Sequence, residues 1–192
     1  MNDVALEFQR YGRNKNTLVN KTYLESGEYR RKFDQISDNI AVNRSLYLKS
    51  KEALQHRSGT AYEDMFWIDE KTGTVILEMT DSHVERAILY TDRIQKIVKS
   101  NNNIITLHTH PSSMPPSISD FNSCFRNNYN RGIIACHNGK IFVYNSDENV
   151  NETLYYMYIA SYLNEGADEF SAQMKTIERL KQNYQIDFWE AK

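Results

Sequence analysis

Ile104-Ile105-Thr106-Leu107-His108-Thr109-His110-Pro111-Ser112-Ser113-Met114-Pro115-Pro116-Ser117-Ile118-Ser119-Asp120 is the stretch on which the reading of this chain turns. Its first residues are apolar and β-branched, as a buried strand requires. Side chains alternate along a strand, so His108 and His110 leave the same face at its C-terminal end. Pro111 has no N–H to give and ends the ladder. Pro115-Pro116 stiffens the loop that follows. Ser117 stands where a helix N-cap belongs, with Asp120 three residues on and Ile118, Phe121 and Phe125 at helical spacing. The pattern therefore brings two imidazoles and one carboxylate together from a strand end and a helix start. His108, His110 and Asp120 make a three-ligand zinc set with one coordination position left for water, which separates a catalytic zinc from a structural one.

Other histidine-pair chemistries fail on their neighbours. A metallo-β-lactamase-type site would continue with an Asp and a His, where Ser112 and Ser113 stand here. A zinc deaminase needs H-x-E and a later P-C-x-x-C, and Cys124 and Cys136 are not so spaced. His108-x-His110-Pro111, a short loop, and Ser117-x-x-Asp120 together resemble the motif of the JAMM (JAB/MPN-type) metalloproteases. That family contains ubiquitin-type isopeptidases and their bacterial and archaeal relatives. The loop between the second His and the Ser is one residue shorter than the family's usual spacing. The resemblance covers about residues 60–144. It implies an α/β core with a central mixed β-sheet flanked by helices, a Zn²⁺ cofactor, and hydrolysis of peptide or isopeptide bonds, with ubiquitin-like conjugates among the substrates.

A hydrolase of this kind needs a carboxylate to take a proton from the attacking water and pass it to the leaving amine. Glu63 is the candidate, at the start of an aromatic-rich strand over 62–69, and JAMM proteins take their catalytic Glu from a similarly early element. Asp64 and Glu78 are substitutes. Ser117 is assigned the developing oxyanion, although helix capping is an equally good local reason for a Ser there. Cys124, four residues after Asp120, is either near the metal or a small core residue. His83 is read as a surface histidine with a second metal ligand as the alternative, His137 as exposed beside a turn, and His56 and Arg57 as cations at a helix C-terminus, with a substrate-facing role as the alternative.

Around the motif the chain falls into three parts. Residues 1–59 hold a polar arm (1–20, loosely ordered or a basic contact segment), then a helix carrying Tyr29, Phe33, Ile36 and Ile40 on one face, then a helix over 43–56. Residues 60–145 form the core: a hairpin through Lys71-Thr72-Gly73, an irregular stretch over 81–90, a helix capped by Thr91, the motif, and a second hairpin at Asn138-Gly139. Residues 146–192 supply amphipathic helices over 152–164 and 168–184, with apolar faces and no candidate ligands.

A net charge of −2 argues against a general nucleic-acid or membrane-surface binder, and no apolar run is long enough to span a bilayer. Two cysteines without a secretory signal read as reduced thiols in a cytoplasmic protein. All three prolines lie in the motif loop, as expected of a loop built to hold its shape. The runs 26–29, 56–60 and 63–65 also resemble segments of phage- and mobile-element-encoded JAB proteins. A non-catalytic structural or interaction module on the same fold, and a RadC-like protein, are therefore the rival readings. Intact ligands favour the enzyme, because non-catalytic MPN modules typically lack some of them.

Overall fold

The computed structural model describes residues 13–192. Most of the expected arm, 1–12, lies outside them. The remainder is packed against the body, where Thr17 is buried and Asn14 N donates to Gly59 O at 3.1 Å. The segment 13–20 is thus not the loose arm its polarity suggests.

A six-stranded mixed sheet in the order β2-β1-β3-β4-β5-β6 forms the centre. Its strands are β1 (Met65–Asp69), β2 (Val75–Met79), β3 (Ile104–His110), β4 (Arg131–Cys136), β5 (Ile141–Ser146) and β6 (Ile186–Ala191). All neighbours are antiparallel except β3 and β4, which run parallel. Helices flank both faces: α1 (Lys21–Leu24), α2 (Gly27–Arg31), α3 (Ile40–Arg57), α4 (Asp92–Lys99), α5 (Ile118–Arg126), α6 (Glu152–Asn164) and α7 (Glu169–Leu180). No helix among the described residues is long and apolar enough to cross a membrane.

Alternation along β3 sorts the two cores. Ile105 and Leu107 face Phe66, Ile133, Val143 and the inward side of α3 (Leu46, Ala53, Leu54), with Tyr29 and Phe33 in the same cluster. Ile104 joins Trp67, Ile134, Phe121, Phe142 and Ile177 on the opposite face. Each such fully buried apolar side chain contributes ~1.5–3 kcal/mol relative to exposure, so both faces of β3 are strongly held. His108 and His110 share the second face, under α5.

The expected long N-terminal helix is broken. Ser26 accepts from Tyr29 N at 3.2 Å and starts a separate helix, and Asn39 caps α3 at Ala41 N. Tyr29, Phe33 and Ile36 are buried as the spacing predicts, whereas Ile40 begins α3 on its exposed side, 82% accessible. β6 was not anticipated. Ile186 and Phe188 join the core with Trp67 and Phe142, Asp187 and Trp189 face outward, Ala191 is buried on the opposite face, and the strand completes the sheet beside β5.

Candidate metal centre

The first element to place is Glu63. The turn after α3 leads into residues 62–64, which precede β1 rather than belonging to it. Tyr62 makes an isolated bridge with Glu85. Asp64 is clamped to β3 at Thr109: Asp64 N donates to Thr109 Oγ1, and Thr109 N donates to Asp64 O, each at 3.1 Å. Thr109 lies between the two histidines and points away from them. The same clamp therefore sets Glu63 beside His108 and His110. One ligand atom from each of these three residues lies within 4.8 Å of the other two.

The Asp64 side chain goes the other way. It is fully buried and accepts from Arg57 Nε at 2.5 Å, with His56 Nδ1 2.6 Å from its second oxygen. Arg57, also buried, further donates to Thr80 O. Asp64 is thus committed to a buried ion pair, and Glu78 is exposed beside Lys49. Neither substitute for Glu63 lines the site. His56 serves Asp64, not an open surface. His137 is buried rather than exposed because the segment 13–20 covers it, its Nδ1 lying 2.6 Å from Thr17 O. His83 is exposed and stands outside the metal-competent group.

The loop 111–116 returns the chain to α5. It turns at Ser113, whose φ is 57° and whose N–H donates to His110 O. Ser117 caps α5 with both halves of a capping box. Asp120 Oδ2 accepts from Ser117 N at 2.6 Å and from Ser117 Oγ at 2.8 Å, while Asp120 N donates to Ser117 Oγ at 3.3 Å. This orients the carboxylate towards the imidazoles. His108 Nε2 lies 3.3 Å from Asp120 Oδ1, His110 Nε2 lies 3.7 Å from Asp120 Oδ2, and the two Nε2 atoms are 3.0 Å apart.

Three features show what this arrangement can hold. His110 Nδ1 lies 2.8 Å from the carbonyl of Met114, which can only accept, so Nδ1 carries the proton and Nε2 offers a lone pair. Burial, together with the neighbouring His108 charge, lowers the His110 pKa to about 4 despite Asp120, keeping the ring neutral. Finally, ligand atoms around a tetrahedral ion with bonds of ~2.0–2.2 Å stand roughly 3.3–3.6 Å from one another. The Nε2–Nε2 distance of 3.0 Å falls a little short of that value, and the Asp120 carboxylate comes near it through a different oxygen for each ring, Oδ1 at 3.3 Å from His108 and Oδ2 at 3.7 Å from His110.

The two carboxylates are driven apart. Burial pushes the Glu63 carboxyl up to about 7, Asp120 adding to the rise while His108 and Arg86 oppose it. Burial would also raise Asp120, but the charges of His108 and His110 and the bonds from His108 and Ser117 prevail and hold it well below the usual carboxylate range. For His108, burial lowers the pKa, and the Asp120 and Glu63 carboxylates more than reverse this, for a net rise.

These groups open on a cleft of about 420 Å³ at the carboxyl end of the parallel pair β3 and β4, a usual place for a site in an open sheet. Tyr90, Tyr129 and Tyr144 line it, and Trp67 Nε1 donates to Tyr129 OH, which is 3.1 Å from Tyr90 OH. Tyr144 fits because Gly132 lies beneath it, where a Cβ would sit 2.1 Å from the ring. Cys124 lines the cleft with its thiol turned to Tyr129 O at 3.4 Å.

Two lining residues carried no signal in the sequence. Arg86 lies in the irregular stretch 81–90. Gln173 comes from α7, far along the chain, and its Nε2 donates to Pro115 O at 2.9 Å and Pro116 O at 2.8 Å. The C-terminal helices therefore reach the motif loop itself. Gln173→Glu puts an acceptor against two carbonyls and is expected to weaken metal binding by ~10–100-fold, as losses of outer-shell partners do. Titration against a zinc chelator measures this, and unchanged affinity would show that the loop holds its shape without α7.

Compared with protein-family models, with curated proteins and with solved structures, the chain has no match.

Proposed function

We propose that this chain is a zinc-dependent hydrolase of the JAMM type that cleaves peptide or isopeptide bonds, conjugates of ubiquitin-like proteins included. The observation that carries the reading is the convergence of His108 Nε2, His110 Nε2 and the Asp120 carboxylate at 3.0–3.7 Å, with Glu63 within reach of both histidines. His108, His110 and Asp120 would hold the ion. Zinc so held would acidify a coordinated water and polarise the scissile carbonyl. Glu63 receives the proton of the attacking water and delivers it to the leaving amine. Burial raises its carboxyl pKa and a dication beside it would lower it again, so an ionised Glu63 can accept the proton. Asp120 stays ionised and does not compete for the proton. Ser117 holds Asp120 in place, and the same hydroxyl can turn to a developing oxyanion by releasing that bond.

The test is elemental analysis of protein purified without chelator, followed by a cleavage screen of peptides and ubiquitin-like fusions. One zinc per chain together with chelator-sensitive cleavage is expected. Absence of metal even from protein supplied with zinc would replace this reading with the non-catalytic interaction module.

A further inference from the structure

We propose that Arg86 forms a subsite for a substrate carboxylate at the mouth of the metal cleft, so that the preferred substrates are peptides bearing a negative charge near the scissile bond. This rests on the metallopeptidase reading and names the substrate class within it.

Among the described residues, Arg86 is the one Lys or Arg side chain lining the cleft. Its guanidinium has no ion pair or hydrogen bond to a described side chain, although its charge is felt at Glu63. Arg86 is exposed, so its charged head meets solvent at the mouth of the cleft. Here it stands free for a ligand, with five N–H donors in a fork that matches a carboxylate.

The backbone holds it there under strain. Arg86 has φ 55°, and its N–H donates to Ala61 O at 2.9 Å, next to the Tyr62–Glu85 bridge. The strand of chain that delivers Glu63 therefore also fixes Arg86. Four described non-glycine residues have positive φ. Asn103 and Asn128 are of the type that tolerates it. The other two, Arg86 and Ser113, belong to the segments on either side of the metal site, and strain concentrated in this way marks residues held for a purpose.

Charge points the same way. A dication in the site would be offset by Glu63 and Asp120, leaving Arg86 as the excess charge of the cleft. Apart from the metal-site residues the rest of the lining is uncharged, with Tyr90, Tyr129 and Tyr144 beside polar Ser112, Ser123 and Gln173, so an entering anion finds its charged partner in Arg86.

The carboxylate could be an acidic side chain or a chain terminus, and four probes separate these. Acetyl-Gly-Glu amide is compared with acetyl-Gly-Gln amide, and acetyl-Gly-Gly acid with its amide. Binding to the full chain is followed by NMR titration, both zinc-loaded and after chelation. At least one acid should bind about tenfold or more tightly than its neutral twin, the scale of a charge-assisted hydrogen bond. Arg86→Ala should erase that preference, and Arg86→Lys should keep part of it. Arg86→Gly, which relieves the backbone, serves as a folded control that must also lose it. Equal binding of both pairs, no binding by any probe, or a preference that survives Arg86→Ala overturns the proposal. Because the acid preference is read in chelated protein too, its loss is distinguishable from failure of the zinc hydrolase reading, which shows instead in metal content and cleavage.

Discussion

Glu63→Gln protein is expected to keep its zinc and its fold and to turn over ~10²–10⁴-fold more slowly, the usual cost of losing general acid–base help. Burial makes the charged form of Glu63 costly and raises its carboxyl pKa. A neutral amide of the same shape therefore meets no new desolvation cost, and the variant should melt near the wild type. What it lacks is a transferable proton. Glu63→Asp should also fail, because withdrawing the oxygen by about one C–C bond takes it out of line with the water and the amine. The measurement is single-turnover cleavage of the best substrate from the screen, alongside zinc content. Near-wild-type turnover would exclude Glu63 as the proton carrier, and no replacement stands nearby. Asp64 is locked to Arg57 and His56, and Glu78 lies exposed beside Lys49. Loss of zinc in Glu63→Gln would give the opposite lesson, that Glu63 is itself a ligand.

The convergence of His108, His110 and Asp120 was legible because the three lie within one short stretch. Strand alternation put His108 and His110 on one face, and the N-cap signature of Ser117 and Asp120 located the returning helix, all from local rules. The α/β class with a central mixed sheet is what the family resemblance of that stretch implied, and the six-stranded sheet agrees with it. Residues whose roles depend on distant partners were not legible. His137 has a neighbouring turn, which suggests exposure, and it is buried by Thr17, far back in the chain. Gln173 on α7 resembles any polar helix residue until the fold sets it against Pro115 and Pro116. Arg86 carries no motif. Its significance comes from a positive φ and a neighbouring carboxylate, neither of which sequence reveals. The long N-terminal helix was misread for a different reason. Tyr29, Phe33 and Ile36 have helical spacing, but the caps at Ser26 and Asn39 divide the stretch and leave Ile40 outside. β6 could have been found, since Ile186 to Trp189 alternates as an outer strand should.

Asp120→Asn is expected to lower zinc affinity by more than Ser117→Ala does, and the comparison assigns the third ligand. Ser117 touches only Asp120 and the helix start, so its loss should cost ~10–100-fold in affinity, as outer-shell losses do. It should also cost ~1 kcal/mol of stability as an N-cap is removed. Asn at 120 keeps an acceptor for Ser117 N–H and so keeps much of the capping box. It loses the negative charge that faces both imidazoles at 3.3 and 3.7 Å. A structural role alone would therefore make Asp120→Asn the milder change, and a ligand role makes it the harsher one. Thermal shift reads the difference without any substrate. Zinc stabilises a folded chain by RT ln(1 + [Zn]/Kd), so its melting increment should be large in the wild type, reduced in Ser117→Ala and nearly absent in Asp120→Asn at the same free zinc. The opposite order, with Asp120→Asn binding zinc at least as well as Ser117→Ala, would move the third ligand to Glu63, the other carboxylate that stands within reach of both histidines.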